Sequence, residues 1–154
     1  MKEKTSCPQC GFTFRLQSNP YPTVDVVIAH PGKGIVLIER RFEPLGWALP
    51  GGFVELGESV EEAARREGFE ETGLKLRLAE LLGVYSKADR DPRMHTISTV
   101  FVALTDTPEL IRGGDDAAQA RFYPLSALPQ TAFDHAAIID DFRRRLAQKY
   151  GVLP

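Results

Sequence analysis

Cysteine is scarce in this sequence of 154 residues, which holds two, Cys7 and Cys10, in the segment CPQCG. Two closely spaced thiols cannot build the disulfide framework that small secreted proteins use in place of a large core. Long apolar runs are also missing, since no stretch approaches the roughly 20 residues of a membrane-spanning helix. The first residues, MKEKTS, lack the apolar core of a secretion signal. We therefore expect a cytoplasmic protein without a membrane segment.

A strong excess of one charge is missing too. The formal net charge is −2 at pH 7, whereas domains that bind nucleic acid usually carry a basic face. The charge balance therefore gives no support for a nucleic-acid partner. The hydrophobic fraction of 43% and the length suffice for one globular domain with its own core. We expect a small N-terminal extension over residues 1–22 and one domain over residues 23–154.

The cysteine pair is half of a tetrahedral zinc site, because structural zinc normally takes four sulfur or nitrogen ligands. A second pair is absent, and the three histidines lie far away in the sequence. Three interpretations remain: a knuckle without metal, Zn²⁺ shared between two subunits, or Zn²⁺ bound by Cys7, Cys10 and remote side chains. A thioredoxin-like redox role is the weakest interpretation, because the pattern predicts no strand before the pair.

Apolar and β-branched residues predict a sheet. Val24–His30 and Ile35–Arg40 are apolar strands joined by the turn PGKG, which indicates a β-hairpin. Further strands are predicted over residues 47–54, interrupted by the segment PGG, and over residues 74–85, 95–105 and 120–125.

Two helices complete the predicted fold. Ser59 followed by Glu62 is a capping box, and Gly73 fits a left-handed cap, so the first helix ends just before that glycine. The second helix is predicted over residues 134–150, with Asp134 as its N-cap and apolar residues at helical intervals. Short strands with helices packed on them indicate an α+β fold.

The first predicted helix is rich in glutamate. Glu67, Glu70 and Glu71 are three and four residues apart, so a helix directs their carboxylates the same way. Like charges at these spacings destabilise a helix unless cations bind there. Hard divalent ions such as Mg²⁺ or Mn²⁺ prefer oxygen ligands. The spacing therefore indicates a divalent metal site.

The segment GFVELGESVEEAARREGFEETGL, which contains these carboxylates, resembles the Nudix box. That box has the order glycine, five residues, glutamate, seven residues, Arg-Glu, a bulky aliphatic residue, one residue, Glu-Glu, one residue, glycine and an aliphatic residue. Gly68 departs from this order, since a bulky aliphatic residue is usual there, and the departure affects the helix rather than a metal ligand. The matching positions are Gly52, Glu58, Arg66, Glu67, Glu70, Glu71, Gly73 and Leu74.

The resemblance implies a fold and a reaction. The Nudix fold is an α/β/α sandwich, with a mixed β-sheet between helices. Nudix proteins typically hydrolyse a nucleoside diphosphate linked to another moiety. An anionic diphosphate cannot approach a carboxylate cluster without cations, so charge alone requires the metal.

The resemblance also implies roles for particular residues. Glu67 and Glu71 are the expected principal metal ligands, with Glu70 as a third and the backbone carbonyl of Gly51 as a further donor. Arg66 is expected to orient or screen this cluster. These are expectations carried over from the family pattern, position by position.

The general base must lie within hydrogen-bond reach of the attacking water. Relatives use either a box glutamate, for which Glu67 and Glu70 qualify, or an acidic residue of a later loop. In the segment GGDDAAQ that residue would be Asp115 or Asp116. An ordinary glycine-aspartate turn explains this segment equally well, so the base stays unassigned.

Substrate contacts are expected from backbone at the box and from cationic side chains. A guanidinium group can pair bidentately with phosphate, although exposed arginines are common on any protein surface. The candidates are Gly52, Arg40, Arg90 and Arg93.

Segments outside the box resemble the ADP-ribose pyrophosphatase branch of the family. They are residues 81–104, with Pro92 in the loop DPRM, residues 113–129, and residues 132–142, which begin AFDH. Met94 departs from the branch, because glycine is common at that position. The implied reaction is ADP-ribose plus water giving AMP and ribose 5-phosphate. Relatives in this branch are often homodimers, so a homodimer is expected.

Two other functions remain as alternatives. One is hydrolysis of NADH, a diadenosine polyphosphate or an oxidised nucleoside triphosphate, although the SQPWPFP motif of NADH pyrophosphatases is missing after the box. The other is an ADP-ribose-binding regulator without catalysis. Such regulators carry an additional DNA-binding domain, for which we expect no room in this sequence.

Overall fold

A computed structural model describes residues 2–17, 19–114 and 116–152 of the chain. No helix within these ranges is both long enough and apolar enough to cross a membrane. Short 3-10 turns lie at Pro108–Leu110 and Leu125–Ala127. The strands and helices are β1 (Lys2–Ser6), β2 (Thr13–Gln17), β3 (Tyr21–His30), β4 (Gly34–Arg40), β5 (Trp47–Ala48), β6 (Gly51–Phe53), α1 (Val60–Thr72), β7 (Arg77–Tyr85), β8 (Thr96–Leu104), β9 (Ala117–Tyr123) and α2 (His135–Arg145).

The main sheet is mixed, because one of its strand pairs is parallel. β3 runs parallel to β8 over residues 21–29, and it pairs antiparallel with β4 at its far end, which is the predicted hairpin. The order β5-β4-β3-β8-β7 places β7 at an edge, while β6 pairs with the start of β3 and β9 pairs with β4. The start of β3 therefore lies between β8 and the glycine segment of β6.

Core residues lie on both faces of this sheet. Successive residues of a strand point to opposite faces. In β3, Val24 and Val26 belong to the core cluster that includes Ala63 of α1, whereas Val27 belongs to the cluster that includes Ile138 of α2. Burial on both faces explains why β3 and β4 carry apolar residues at successive positions, VVIA in β3 and IVLI in β4, instead of alternating. The prediction of an α+β fold with a mixed sheet between helices is confirmed.

The N-terminal residues contain strands that the sequence did not predict. β1 and β2 pair as an antiparallel hairpin, with Cys7 and Cys10 at the connecting turn. The expectation of no strand before the cysteine pair is therefore wrong, because β1, KEKTS, contains no apolar residue that would indicate a strand. β3 also begins at Tyr21, inside the predicted extension of residues 1–22, because it pairs with β8 from Thr96 onwards.

The second helix is shorter than predicted. α2 ends at Arg145, and the residues that follow form turns. Asp134 occupies the predicted N-cap position, but its side chain makes no capping hydrogen bond. Its carboxylate is bound by Arg90 instead, at 2.8 Å. A long-range ion pair has thus replaced the expected cap.

Candidate active site

The box helix α1 begins and ends where the sequence predicts. The Ser59 hydroxyl accepts a hydrogen bond from the Glu62 N–H at 3.2 Å, and the Glu62 carboxylate accepts one from the Ser59 N–H at 2.8 Å. At the other end Gly73 has a φ of 69° and donates its N–H to the Phe69 carbonyl. The predicted capping box and left-handed cap are both confirmed, and they fix the ends of the helix that carries the carboxylates.

The glycine segment before the helix passes close to two of its glutamates. A Cβ atom on Gly52 would lie 2.2 Å from Glu67 Oε1, closer than a side chain can approach. The Gly51 N–H donates to Glu71 Oε2 at 2.9 Å. Glu67 and Glu71 are four residues apart, so α1 presents both to the same stretch of backbone. A side chain at residue 52 would displace the Glu67 carboxylate, so glycine lets the backbone and this carboxylate lie close together.

These groups open onto a cleft of about 330 Å³. Glu70 and Arg66 do not line it, although the sequence predicted that all three box carboxylates face the same way. Asp115 falls outside the described residues. The predicted site residues that meet in the cleft are Gly51, Gly52, Glu67, Glu71, Arg40, Arg90, Arg93 and Asp116.

Arg66 donates all five of its N–H groups to protein acceptors. Nε and Nη2 bind Glu58 at 2.8 and 2.9 Å, and Nη2 also binds the Phe53 carbonyl at 3.0 Å. Nη1 donates to Glu67 at 2.9 Å and to Glu70 at 3.2 Å. The hydrogen bonds from Arg66 hold the pKa of Glu58 at about 2. Arg66 therefore connects the preceding loop with two box carboxylates and has no N–H left for a phosphate.

Glu71 is a buried carboxylate, only 5% exposed. Burial raises its pKa to about 8, the Gly51 N–H opposes that rise, and the Glu67 charge adds to it. Burial also raises the pKa of Glu67, despite its ion pair with Arg66. Two carboxylates that resist ionisation side by side favour a bound cation, and their oxygen atoms suit a hard divalent ion.

A complete set of metal ligands is not already assembled. Across the described ranges, no three carboxylate, histidine or cysteine side chains converge as a ligand group. Glu70, whose side chain is 39% exposed, is paired with Arg66. Of the three box glutamates at helical spacing, Glu67 and Glu71 are thus the two that line the cleft, and they fit a divalent cation.

Two arginines of the cleft keep free donors. Arg40 binds the Pro44 carbonyl through Nε at 2.7 Å, and its Nη groups have no partner among the described residues. Arg93 binds Asp91 through Nε and Nη2, at 3.0 and 2.8 Å, and 40% of its side chain is exposed. Burial, and then the charge of Arg93, lower the pKa of Arg40. Both arginines therefore keep N–H groups that an anionic ligand can use.

Arg90 differs from these two, because its side chain is only 5% exposed. It binds Asp134 bidentately, through Nε at 3.0 Å and Nη2 at 2.8 Å. Nη2 also reaches Asp25 at 3.2 Å, and Nη1 donates to Thr96 at 3.0 Å. These bonds leave little capacity for the predicted substrate contact, and they join the loop before β8 to β3 and to the start of α2.

A buried pair beside Arg90, formed by Asp25 and His135, was not predicted from the sequence. His135 Nε2 lies 3.3 Å from Asp25 Oδ1, and Asp25 also accepts a hydrogen bond from the Ser98 hydroxyl. Although burial opposes ionisation, His135, Ser98 and Arg90 lower the pKa of Asp25. His135 Nδ1 accepts the Leu49 N–H at 2.9 Å, so the network reaches the backbone that leads into the glycine segment. The available signal was an aspartate inside the apolar strand VDVVIA, since a buried charge needs partners.

Phe133 is a further cleft residue that the sequence did not indicate. Its φ is 55°, in a region that bulky residues rarely adopt. The centre of its ring lies 4.9 Å from Arg40 Cζ and 5.5 Å from Arg93 Cζ. No local pattern identifies a left-handed phenylalanine, so this residue becomes visible only in the fold.

The loop that carries the candidate base is tied to the box helix. A Cβ atom on Gly114 would lie 2.3 Å from the carbonyl oxygen of Glu70, so the loop backbone packs directly on α1. Asp116 lines the cleft, and its charge acts on Arg40. The fold thus places one candidate base near the box carboxylates, and its role stays a prediction.

Comparison with known proteins agrees with this geometry. The NUDIX domain model matches residues 19–144 of the chain. An ADP-ribose pyrophosphatase from Methanocaldococcus jannaschii is 51% identical over 133 residues, which are 85% of this chain and 78% of that protein.

Two solved structures share the fold. A bifunctional NMN adenylyltransferase/ADP ribose pyrophosphatase from Francisella tularensis, complexed with AMP and a Mn ion, aligns with a TM-score of 0.71 at 30% identity, over 80% of this chain and 41% of that one. The NUDIX domain of Shewanella oneidensis NrtR, complexed with ADP ribose, aligns with a TM-score of 0.74 at 28% identity, over 84% and 90%. Because the NUDIX domain model matches most of its length, the chain belongs to the Nudix family of hydrolases.

Proposed function

We propose that this chain hydrolyses ADP-ribose to AMP and ribose 5-phosphate in a reaction that depends on a divalent cation. The observation that carries the proposal is the meeting of Glu67 and Glu71 with Arg40 and Arg93 in one cleft. Such a site offers carboxylates for a cation and guanidinium groups for a diphosphate. The 51% identity to an archaeal ADP-ribose pyrophosphatase supports ADP-ribose as the substrate.

Nudix hydrolases generally use divalent metals, and a Mn ion is present in the F. tularensis structure. In this chain Glu67 and Glu71 would hold the cation, with the Gly51 carbonyl as a further donor, whereas Glu70 would have to leave its ion pair with Arg66 to join them. We propose Mg²⁺, for which Mn²⁺ can substitute, because all of these donors are oxygen atoms. When bound, the cation would neutralise phosphate charge and favour deprotonation of the attacking water.

The chain's own residues would position the reactants. Charge accumulates on phosphate oxygens as water attacks phosphorus, so donors aimed at those oxygens stabilise the transition state. Arg40 and Arg93 supply such donors. Gly52 has no side chain, so a substrate can lie close to the backbone there. Arg66 holds the Glu67 carboxylate in place through its ion pair. In this role Arg66 is a positioning residue rather than one that touches the substrate.

The general base is proposed to be a carboxylate of the same cleft region. Glu67, Glu70 and Asp116 are the candidates within the described residues, and Asp115 is a further candidate from the sequence. Homodimeric assembly and a cytoplasmic location also stay predictions from the sequence.

An activity assay tests the proposal. The purified protein is incubated with ADP-ribose and Mg²⁺, and the release of AMP is measured by chromatography. Glu71→Gln is expected to lower kcat/KM by about 100-fold or more, because a neutral amide is a poor ligand for a divalent cation. Glu61→Gln is the matched control, since Glu61 is exposed on the same helix. Full activity in Glu71→Gln would contradict the metal assignment.

A panel of NADH, a diadenosine polyphosphate and an oxidised nucleoside triphosphate tests the substrate. Faster turnover of one of these would identify that compound as the substrate instead of ADP-ribose. The assignment as a hydrolase would be unchanged. Tight binding of ADP-ribose without turnover of any member would favour the regulator instead.

A further inference from the structure

Three distant parts of the chain bring two charges and one aromatic ring together in the cleft. Arg40 ends β4, Arg93 lies in the loop before β8, and Phe133 lies just before α2. The guanidinium carbons are 4.9 and 5.5 Å from the ring centre, within the range of about 6 Å for cation–π contact. The two like charges repel each other, and an anion that binds both relieves that repulsion.

The backbone on either side of the ring is fixed. A φ of 55° is unfavourable for phenylalanine, and such conformations persist where the surroundings determine them. On one side of Phe133, the Ala132 N–H donates to the Trp47 carbonyl at 2.8 Å. On the other side, the Asp134 carboxylate is held bidentately by the buried Arg90. The neighbours of the ring thus leave its backbone little freedom.

The next residue is anchored as well. His135 is 3% exposed, and its Nδ1 accepts the Leu49 N–H while its Nε2 faces Asp25. Leu49 leads directly into the glycine segment that touches Glu67 and Glu71. The same buried anchors therefore hold the aromatic ring and the backbone beside the box carboxylates.

We propose that Phe133 is a positioning residue for the substrate: its ring holds the guanidinium groups of Arg40 and Arg93 together so that both bind one diphosphate. The proposal rests on the proposed function, because it gives these arginines the diphosphate of that reaction. A ring supports a guanidinium without occupying its N–H groups, so the donors stay available to phosphate oxygens. A pair of arginines held this way favours a ligand with two adjacent phosphates over a nucleoside monophosphate.

Phe133→Leu tests the role of the ring, because leucine removes the aromatic face and keeps an apolar side chain. The KM for ADP-ribose is expected to rise about ten-fold, while kcat changes by less than about two-fold. Phe133→Tyr keeps the ring and is expected to stay within about two-fold of the wild-type KM. If Phe133→Leu does not fold, Phe133→Gly removes the ring at a backbone that suits glycine. A wild-type KM in the ringless variant would overturn the proposal.

Combining the substitutions shows whether the ring acts through the arginines. In a chain that carries Arg40→Gln and Arg93→Gln, adding Phe133→Leu is expected to change KM by less than about two-fold, because no guanidinium remains for the ring to hold. A further ten-fold loss in that background would mean that the ring acts on its own, and the proposal would fail.

Calorimetric titration with ADP-ribose and with AMP separates this proposal from the hydrolase. The wild-type chain is expected to bind ADP-ribose more tightly than AMP, and Phe133→Leu is expected to lose most of that preference. This result supports the positioning role even if no AMP is released. In that case only the proposal of hydrolysis would be wrong. Turnover of ADP-ribose with an unchanged preference in Phe133→Leu would refute the positioning role alone.

Discussion

Glu71 is the residue whose chemistry conflicts most with its surroundings. Its pKa is raised from the ordinary 4.5 to about 8, first by burial and then by the charge of Glu67. In the metal-free protein the folded state keeps a proton that the unfolded chain releases above its own pKa. The free energy of unfolding therefore falls as the pH rises from about 4.5 to about 8. Metal binding at this position has to displace that proton.

We expect Glu71→Gln to remove this component of the pH dependence. The amide oxygen can still accept the Gly51 N–H, but the side chain cannot ionise. Thermal unfolding of chelator-treated wild-type and variant proteins, from about pH 5 to about pH 9, should show a Tm difference that grows in favour of the variant. Parallel curves would contradict the raised pKa. Added Mg²⁺ should stabilise the wild-type protein more than the variant.

Arg66 binds more acceptors than a lysine side chain could bind at the same position. Its planar fork binds Glu58 twice while also reaching Glu67 and Glu70, whereas an ammonium group has three donors at one point. We expect Arg66→Lys to lower kcat/KM by about ten-fold or more and to raise the Mg²⁺ concentration needed for half-maximal activity. Arg65→Lys is the control, since Arg65 is exposed and binds only the Glu61 carbonyl. Equal metal requirements in both variants would contradict a positioning role.

The box helix shows which parts of an element can be predicted locally. Its capping box and its left-handed cap depend on neighbours three or four residues away, so the sequence predicts both ends. The missing side-chain cap at the start of α2 could not be predicted in this way, because the Asp134 carboxylate is bound by Arg90, 44 residues away. The N-terminal hairpin was missed because β1, KEKTS, has no apolar residue, so the alternation of Phe14 and Leu16 in β2 had no recognisable partner strand. Local sequence signals therefore predict a helix cap unless a distant side chain binds the capping residue.

Gly68, the one departure from the family box, is explained by packing between elements. A Cβ atom on Gly68 would lie 2.2 Å from Leu76 Cδ1, so this leucine fills the space that a side chain of the helix would take. Leu76 packs against the core cluster on the α1 side of the sheet. The departure in the helix is thus compensated by a residue just after it.

This compensation predicts a coupling between the two residues. Gly68→Ala gains about 1 kcal/mol of helix propensity, but the clash with Leu76 should make it destabilising in the wild-type chain, by about 1–2 kcal/mol. In a Leu76→Ala chain the same change should be neutral or stabilising, since the space is then free. Urea unfolding of the four proteins in this double-mutant cycle measures the coupling, expected at about 1 kcal/mol or more. Additive effects would contradict the explanation.

At the scale of the whole molecule, the site is formed by segments that lie far apart in the sequence. The box could be recognised because its carboxylates lie on one helix. Asp25 and His135 could not be paired in advance, because they are 110 positions apart in the sequence and only the sheet and α2 bring them within 3.3 Å. Phe133 depends on the same long-range anchors. Residues that act through local spacing were therefore predictable, whereas residues that hold the site together were not.

The cysteine turn raises a question of assembly. Cys7 and Cys10 are free thiols at the turn of the N-terminal hairpin, and the hydrogen bonds of the Cys10 and Gln9 backbone lower the pKa of Cys7. Within the described ranges no third ligand converges on them. Structural zinc takes four ligands, so one chain supplies half of a site. Beside the turn, the apolar side chain of Phe12 is 68% exposed.

We therefore predict that zinc, where present, is shared between two chains. Elemental analysis of protein purified without chelator is expected to give at most about 0.5 zinc per chain, and only in the dimeric fraction from gel filtration. Cys7→Ser should remove that zinc without changing the rate of AMP release, because no hairpin residue whose side chain the structure describes lines the cleft. About one zinc per chain in a monomeric fraction would contradict the prediction and would require ligands from elsewhere in the same chain.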